Sequence, residues 1–156
     1  MPHVELPQTE FKVVVLGDTN VGKTSLVLRF TEGYYRENSR SPTVGAFFLT
    51  KRVQTTSGIT AKVQIWDTAG QAQFRKMAPI YWRNDGAAAI LLCYDVSNVH
   101  SWNVALEWLK ELRYDKHVLE KNIVLALVAT KSDLAYSNSN SLQDEEDVVF
   151  DHGNGN

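Results

Sequence analysis

Three nearly continuous apolar runs, at 11–16, 87–94 and 123–129, divide the chain into segments. Each run has the length of a strand. Runs without polar alternation are typical of strands that are covered on both faces, as in a parallel sheet. The pattern therefore predicts a sheet whose inner strands are mostly parallel.

Two other segments, on either side of the turn sequence TTSG, alternate between apolar and polar residues. In the second segment Val63 and Ile65 alternate with Lys62 and Gln64. A period of two residues is typical of a strand with one solvated face. These segments predict a half-solvated hairpin at the edge of the sheet.

Helical patterns fill the gaps between the strands. One helix is predicted to follow a glycine turn and to end at Gly33, and a second covers 101–117. In the second helix an apolar stripe predicts core packing rather than a ligand site, and it consists of Trp102, Leu106, Leu109 and Leu112. The order β-α-ββ-α-β-α-β predicts an α/β domain, in which ligands bind beyond the carboxyl ends of the strands.

Composition adds limits to this picture. The chain has 156 residues, enough for one domain with one core, and a net charge of −2. All acidic residues after Lys131 lie in a stretch without further Lys or Arg, which predicts a solvated acidic tail. No run of basic residues indicates a nucleic-acid partner.

The cysteine and histidine content and the hydropathy of the chain argue against a disulfide-stabilised, histidine-ligated metal or membrane-spanning protein. Cys93 is the only cysteine and lies inside an apolar run, so that a disulfide within the chain is excluded. The four histidines are too scattered to form a ligand set. No apolar run approaches the roughly 20 residues that span a bilayer, and the N-terminus does not resemble a signal peptide. We expect a cytosolic protein.

The first strand is followed directly by GDTNVGKT, at 17–24. This is the G-x-x-x-x-G-K-[ST] pattern of a phosphate-binding loop (P-loop), in the required place between a strand and a helix. Its backbone N–H groups would surround phosphate oxygens, Lys23 would reach the β and γ phosphates, and Thr24 would bind Mg²⁺. The alternative is a structural glycine loop. The motif alone distinguishes neither ATP from GTP nor a kinase from a hydrolase.

A second motif, VQIWDTAGQ, narrows these alternatives. It ends a strand with Asp67, followed by Gly70 and Gln71. A carboxylate there suits the second coordination sphere of Mg²⁺, opposite the P-loop hydroxyl. A glycine N–H can contact a γ-phosphate, and a carboxamide can orient a water for in-line attack.

Together with TKSD and SPTVGAFFLTK, these motifs resemble the small GTPases of the Ras superfamily, and most of all the Rab family. The likeness covers about 11–134. The resemblance implies a P-loop NTPase fold and a molecular switch that binds GTP and GDP with Mg²⁺ and hydrolyses GTP. It also implies a role in vesicle or endosomal membrane traffic, with effectors, an exchange factor and a GTPase-activating protein as partners. We expect a monomer.

The resemblance also implies roles for single residues. Gln71 would be catalytic, and Thr24, Thr43 and Asp67 would bind the metal. The phosphate-binding set would be Gly17, Asp18, Thr19, Asn20, Val21, Gly22, Lys23, Thr24, Ser25, Thr43 and Gly70. The guanine-binding set would be Tyr35, Thr130, Lys131 and Asp133, with Asp133 accepting from two donors of the base. Phe48, Trp66 and Tyr81 match an aromatic trio that faces effectors; the alternative is that they only fill the core.

Three features depart from the family pattern: two residues of the P-loop, the loop before Thr43, and the residue at 130. Thr19 and Asn20 stand where many relatives have glycine or another small residue, and crowding of Gln71 by Thr19 predicts slow intrinsic hydrolysis. Pro42 restricts Ser41 to extended conformations, which either stiffens the loop or only shapes it. Thr130 replaces an asparagine, and we expect a weaker brace to the P-loop.

The end of the chain also departs from the pattern. We expect a disordered N-terminus at 1–10, the GTPase domain at 11–134 and an acidic low-complexity tail at 135–156, so that the usual last strand and helix are lacking. The sheet face at Val13 and Val15 would then be exposed. No C-terminal cysteine is present for a lipid anchor. The alternative function is a shortened, non-enzymatic remnant that binds partners through its switch surface. The sequence motifs argue against an ATPase or a kinase.

Overall fold

A five-stranded sheet in the order β2-β3-β1-β4-β5 organises the part of the chain that the computed structural model describes, which is residues 9–35, 42–56, 58–84 and 86–135. The strands are β1 (Thr9–Gly17), β2 (Ala46–Gln54), β3 (Thr60–Thr68), β4 (Ala89–Asp95) and β5 (Val124–Thr130). The helices are α1 (Lys23–Glu32), α2 (Pro79–Arg83), α3 (Val99–Arg113) and α4 (Lys116–Glu120), with a 3₁₀ helix at Ala72–Met77.

The sheet is parallel except at one edge. β1 pairs in parallel with β3 and β4, β4 pairs in parallel with β5, and β2 pairs antiparallel with β3. The predicted α/β fold, with a mostly parallel sheet and an antiparallel hairpin at its edge, is confirmed. The expected lack of a last strand and helix concerns 136–156, which lie outside the described residues, as does Ser41. β1 starts at Thr9, inside the segment expected to be disordered.

The helix predicted over 101–117 is two helices. Asp115 stands between α3 and α4, and its Oδ1 accepts hydrogen bonds from the backbone N–H groups of His117 at 2.9 Å and Val118 at 3.3 Å. An aspartate in this position caps a new helix start. The first helix ends before Asp115, and the apolar pattern continues because the cap starts a second helix there. The end of α1 at Gly33, with a φ of 78°, is as predicted.

The buried face of α3 differs from the predicted stripe. Its buried residues are Ser101, Ala105, Trp108 and Leu112, so that only Leu112 of the stripe is fully buried. Trp102 is half-buried and packs edge-on against Tyr94, with ring centroids 4.8 Å apart. Small residues let a helix approach a sheet closely. The prediction used only the large apolar residues, and it therefore misplaced the buried face of α3, which also contains small residues.

Each side of the sheet has its own core. Val14 and Leu16 face the cluster that includes Trp82 and Trp108, beneath α2 and α3. Val15 faces the opposite cluster, whose buried members are Val15, Val21, Val27, Ile65 and Cys93. The expectation that Val15 would be exposed is wrong, because α1 and the P-loop cover it and leave it 0% exposed. Val13 is half-buried.

β5 has no fully buried residue, unlike the other parallel strands of the sheet. Val124 is 61% exposed and Leu127 is 44% exposed. The prediction that this apolar run is covered on both faces therefore does not hold within the described residues, where β5 is the end strand of the sheet. None of the helices in these residues combines the length and the hydropathy needed to cross a membrane.

Candidate functional site

The loop between β1 and α1 depends on backbone conformations that favour glycine. Gly17 has a φ of 146°, and a Cβ atom there would lie 2.3 Å from the carbonyl oxygen of Cys93. Gly22 has a φ of 94°. Asn20 has a φ of 59°, a left-handed conformation that asparagine tolerates better than most residues. The loop conformation at this position is therefore compatible with Asn20.

Lys23 lies at the centre of this loop and is 6% exposed. Its Nζ donates hydrogen bonds to the carbonyl oxygens of Gly17 at 2.9 Å and Asp18 at 2.6 Å. Burial lowers the pKa of Lys23, while the nearby carboxylates of Asp67 and Asp18 oppose this effect. The loop thus holds an ammonium group in place from two sides.

Three oxygen-bearing side chains from different elements meet beside Lys23. Thr24 Oγ1 lies 2.9 Å from Thr43 Oγ1 and donates to Asp67 Oδ2 at 2.5 Å. Asp67 is 0% exposed, and its Oδ1 has no hydrogen-bond partner among the described residues. Burial raises the pKa of Asp67, against the opposing effects of the Thr24 hydrogen bond and the Lys23 charge. A buried carboxylate oxygen without a partner is costly unless a ligand supplies one.

These atoms fit Mg²⁺. Hydroxyl and carboxylate oxygens are hard ligands, and Mg²⁺ combines few protein ligands with water and substrate phosphates. Within the described residues, no group of three or more His, Cys, Asp or Glu side chains comes together. A metal at Asp67 would therefore not be held by side chains of these types alone. The predicted metal ligands Thr24, Thr43 and Asp67 are therefore brought together.

Gly70 packs directly against the P-loop. A Cβ atom at Gly70 would lie 2.4 Å from the backbone carbon of Asp18 and 2.4 Å from the backbone nitrogen of Thr19. Only a residue without a side chain fits this approach. Gln71, the next residue, accepts a hydrogen bond from Gln73 Nε2 at 2.9 Å and lines a small neighbouring cavity rather than the main one.

An open cavity of about 560 Å³ extends from the P-loop to the end of β5. Twelve of the predicted site residues line it: Thr19, Asn20, Gly22, Lys23, Thr24, Ser25, Tyr35, Thr43, Gly70, Thr130, Lys131 and Asp133. Gly17, Asp18, Val21, Asp67 and Gln71 do not line this cavity, although Gly17, Asp18 and Asp67 contact Lys23 or Thr24. The predicted phosphate and guanine ends thus open into one cavity.

The guanine end is tied to the phosphate end by Thr130. Its Oγ1 lies 2.6 Å from the carbonyl oxygen of Val21 and 2.8 Å from that of Tyr94. A hydroxyl has one hydrogen, so that one of these acceptors receives it at a time. Thr130 therefore reaches the P-loop, and the expected weakness of this brace stays a prediction.

Asp95, which the sequence analysis did not identify, contacts the predicted site residue Lys131. Its Oδ2 accepts a hydrogen bond from Lys131 Nζ at 2.6 Å. The signal was available, because Asp95 ends an apolar strand at the same sheet edge as Asp67 and Lys131. Five further residues line the cavity without having been predicted: Leu26, Arg29, Pro42, Val128 and Ala129.

The three predicted effector-surface aromatics form one stack. The ring centroids of Phe48 and Trp66 are 5.2 Å apart, and those of Trp66 and Tyr81 are 5.8 Å apart. Lys12 Nζ lies 4.5 Å from the Trp66 ring centroid. Phe48 is exposed, whereas Trp66 and Tyr81 pack on the core, so that this cluster has both a core side and a surface side.

Comparison with known proteins decides the family. The model described as the Ras family matches residues 12–154. The chain belongs to the Ras family. The resemblance to a Rab-like small GTPase of the Ras superfamily is thereby confirmed. The matched residues of this Ras-family chain include the P-loop and the predicted metal and guanine ligands.

A curated relative of the Ras-family chain is the GTP-binding protein YPT53 of Saccharomyces cerevisiae. The two are 47% identical over 129 residues, which is 83% of this chain and 56% of the relative. The chain thus spans just over half the length of the curated relative that it matches.

Proposed function

We propose that this protein is a guanine-nucleotide switch that binds GTP and GDP with Mg²⁺ and hydrolyses GTP. The observation that carries the proposal is the single cavity between Lys23 and Thr24 at one end and Asp133 at the other. A buried ammonium group suits phosphate, and a carboxylate at the far end suits guanine. The name of the yeast relative, a GTP-binding protein, supports the same ligand.

At the phosphate end, Lys23 and the N-terminus of α1 supply positive potential, while the loop N–H groups can donate to phosphate oxygens. Thr24, Thr43 and Asp67 would hold Mg²⁺. When bound, this ion would neutralise charge on the phosphates. Because Thr43 precedes β2 and Asp67 lies near the end of β3, a ligand at this point connects two separate segments to the P-loop.

At the base end, Asp133 distinguishes guanine from adenine. Its carboxylate only accepts hydrogen bonds, and guanine presents two adjacent donors where adenine presents an acceptor at one position. An adenine base would leave the carboxylate facing an acceptor, which is unfavourable. Lys131 lines the same cavity and Tyr35 lies at its opening, 63% exposed.

For hydrolysis, Gln71 would orient the attacking water toward the γ-phosphate. Its side chain interacts with Gln73 and lies beside the main cavity, so that the hydrolytic arrangement requires it to rotate toward the phosphates. We expect slow intrinsic hydrolysis, with Thr19 occupying space next to this path and a partner's arginine accelerating the reaction.

The segments around Thr43 and from Asp67 to Arg83 would change order with the nucleotide and recruit effectors through Phe48, Trp66 and Tyr81. An exchange factor and a GTPase-activating protein would drive the cycle. By family, we propose a role in vesicle or endosomal membrane traffic, at the cytosolic side of these membranes.

The decisive experiment is extraction of bound nucleotide from the purified full chain. The protein is denatured, and the released nucleotide is identified and counted by chromatography. We expect about one GDP or GTP per chain. An Asp133→Ala variant should lose most of it, while Asp115→Ala, a substitution outside the cavity, should retain it. A folded protein that releases no nucleotide would contradict the proposal and favour a partner-binding protein without nucleotide.

A further inference from the structure

Asp95 is a buried carboxylate at the carboxyl end of β4. In the sheet it lies directly opposite Thr130, the last residue of β5. Its side chain is 8% exposed, and its Oδ2 lies 2.6 Å from Lys131 Nζ, whose side chain is 38% exposed. The ion pair therefore joins the interior of the sheet edge to a residue that lines the nucleotide cavity.

The Asp95 carboxylate is itself held in place. Its Oδ1 accepts hydrogen bonds from Ser97, from the backbone N–H at 2.9 Å and from the hydroxyl at 2.6 Å. The backbone N–H of Asp95 donates to Ser101 Oγ at 3.0 Å, at the buried start of α3. Both carboxylate oxygens are thus engaged, which leaves Asp95 as a fixed point for its partner.

Lys131 needs such a fixed point. It is a non-glycine residue with a φ of 56°, which side chains seldom adopt, and its long side chain has many rotamers. The next backbone contact, from the N–H of Leu134 to the carbonyl oxygen of Lys131 at 2.9 Å, starts the turn that carries Asp133. An anchored Lys131 therefore fixes the chain at the point where the base-facing carboxylate begins.

Asp95 is ionised at neutral pH. Burial raises the pKa of Asp95, but the hydrogen bonds from Lys131 and Ser97 outweigh burial and hold that pKa below its ordinary value. The interaction is therefore a charge-assisted hydrogen bond, which is stronger than a neutral one.

We propose that Asp95 is a positioning residue for guanine-nucleotide binding: it holds Lys131 against the end of β4 and thereby preorganises the base-binding turn. This inference rests on the proposed nucleotide binding. Preorganisation lowers the entropic cost of binding, so that loss of the anchor should appear mainly as faster nucleotide release.

The protein offers a matched control for this pair. Asp115 is also 8% exposed at its side chain, its Oδ2 accepts from Arg83 Nη2 at 2.7 Å, and its other oxygen caps α4. Neither Asp115 nor Arg83 lines the nucleotide cavity. Asp115→Asn therefore removes the same kind of ion pair at a place outside the nucleotide cavity.

The test measures GDP dissociation from the full chain, loaded with a fluorescent GDP analogue, together with thermal stability. We expect Asp95→Asn to accelerate release about tenfold, the effect of losing one charge-assisted hydrogen bond. Asp115→Asn should change the release rate less than about twofold at a similar loss of Tm. Asp95→Glu, which keeps the charge, should give an intermediate rate.

The second measurement uses Lys131→Met and a double variant that combines Lys131→Met with Asp95→Asn. Its result does not depend on whether one single variant folds. If Asp95 acts through Lys131, the double variant should release GDP at the rate of Lys131→Met alone. Multiplicative effects, or equal release by Asp95→Asn and Asp115→Asn, would overturn the positioning role while wild-type GDP binding stands. A wild-type chain that retains no analogue would overturn the proposed function as well.

Discussion

The hydroxyl of Thr130 lies 2.6 Å from the carbonyl oxygen of Val21, and this contact joins the end of β5 to the P-loop across 109 residues of sequence. We expect Thr130→Val, which keeps the shape but removes the hydroxyl, to leave Val21 and Tyr94 carbonyls without this donor. The expected loss is about 1 kcal/mol in the free energy of unfolding, with GDP release several-fold faster.

Thr130→Ser is the control, because it keeps the hydroxyl and loses only a methyl group. Chemical denaturation and the dissociation of a fluorescent GDP analogue measure the two effects. Equal behaviour of the Val and Ser variants would show that the hydroxyl does not brace the loop.

Gly70→Ala should test the close packing of Gly70 against the P-loop, separately from the effect of backbone strain. A Cβ atom at Gly70 would overlap backbone atoms of Asp18 and Thr19, so that the segment must move away from the P-loop. A displacement of about 1 Å at a reacting site can lower a rate about 100-fold, and we expect single-turnover GTP hydrolysis to fall at least about tenfold.

Gly86→Ala is the matched variant for this measurement. Gly86 has a φ of 56° but open space around a new Cβ atom. It should lose about 1 kcal/mol of stability through backbone strain and keep the wild-type hydrolysis rate. Wild-type hydrolysis by Gly70→Ala would contradict the close approach.

Arg75 clamps the 3₁₀ helix to α3. Its guanidinium pairs with Glu107 at 2.7 Å and Glu111 at 2.8 Å, and lies 4.6 Å from the Trp108 ring centroid. Because both glutamates are largely exposed, we expect Arg75→Met to cost no more than about 1 kcal/mol of global stability. Amide hydrogen exchange in 72–77 should nevertheless become faster, because this segment loses its main polar attachment to α3.

The Arg75 experiment compares exchange by mass spectrometry in wild type, Arg75→Met and Arg113→Met. Arg113 ends α3 and has no part in the clamp. Exchange in 72–77 that is unchanged by Arg75→Met, or equally changed by both variants, would show that the clamp does not hold the segment.

Asp115 should make stability depend on pH in the acid range. Hydrogen bonds from Arg83 and from the α4 backbone outweigh burial and hold the pKa of Asp115 below its ordinary 3.8. The folded state binds this proton less readily than the unfolded state. The stabilisation is therefore complete well above pH 3.8 and is lost as the pH falls through the lowered pKa.

Asp115→Asn cannot titrate at this position. Its deficit in the free energy of unfolding relative to wild type should stay constant above about pH 5 and shrink toward zero as the wild-type carboxyl becomes protonated. Urea denaturation across this range measures the difference. A deficit that grows toward low pH would have the wrong sign for this pair.

Site residues could be predicted from the sequence where they belong to one motif, or where the spacing typical of the family relates two motifs. Thr24 and Asp67 belong to separate motifs, and both were expected at the Mg²⁺ site because each motif lies at the carboxyl end of a strand, where ligands of such sheets bind. Asp95 also lies at the carboxyl end of a strand. It was missed because a single acid after an apolar run has no motif around it, and only the order of strands places it beside Lys131.

The errors in the fold have a common physical origin. Periodicity weights large apolar residues, whereas helix α3 meets the sheet through Ser101 and Ala105, whose small size allows close packing. An apolar run likewise indicates a strand but not the number of covered faces, which explains the exposure of Val124 and Leu127. Which layers cover a strand is a property of the tertiary structure.

The parallel order of the inner strands also has a consequence for how fast the protein folds. Thr68 donates to the carbonyl oxygen of Val15 across 53 residues, and every contact between β1 and β3 requires a loop of similar length to close first. Of the paired strands in the described residues, β2 and β3 alone are joined by a short turn. We therefore expect the hairpin to form early and the nucleotide cavity, whose walls come from both ends of the described chain, to assemble last and slowly.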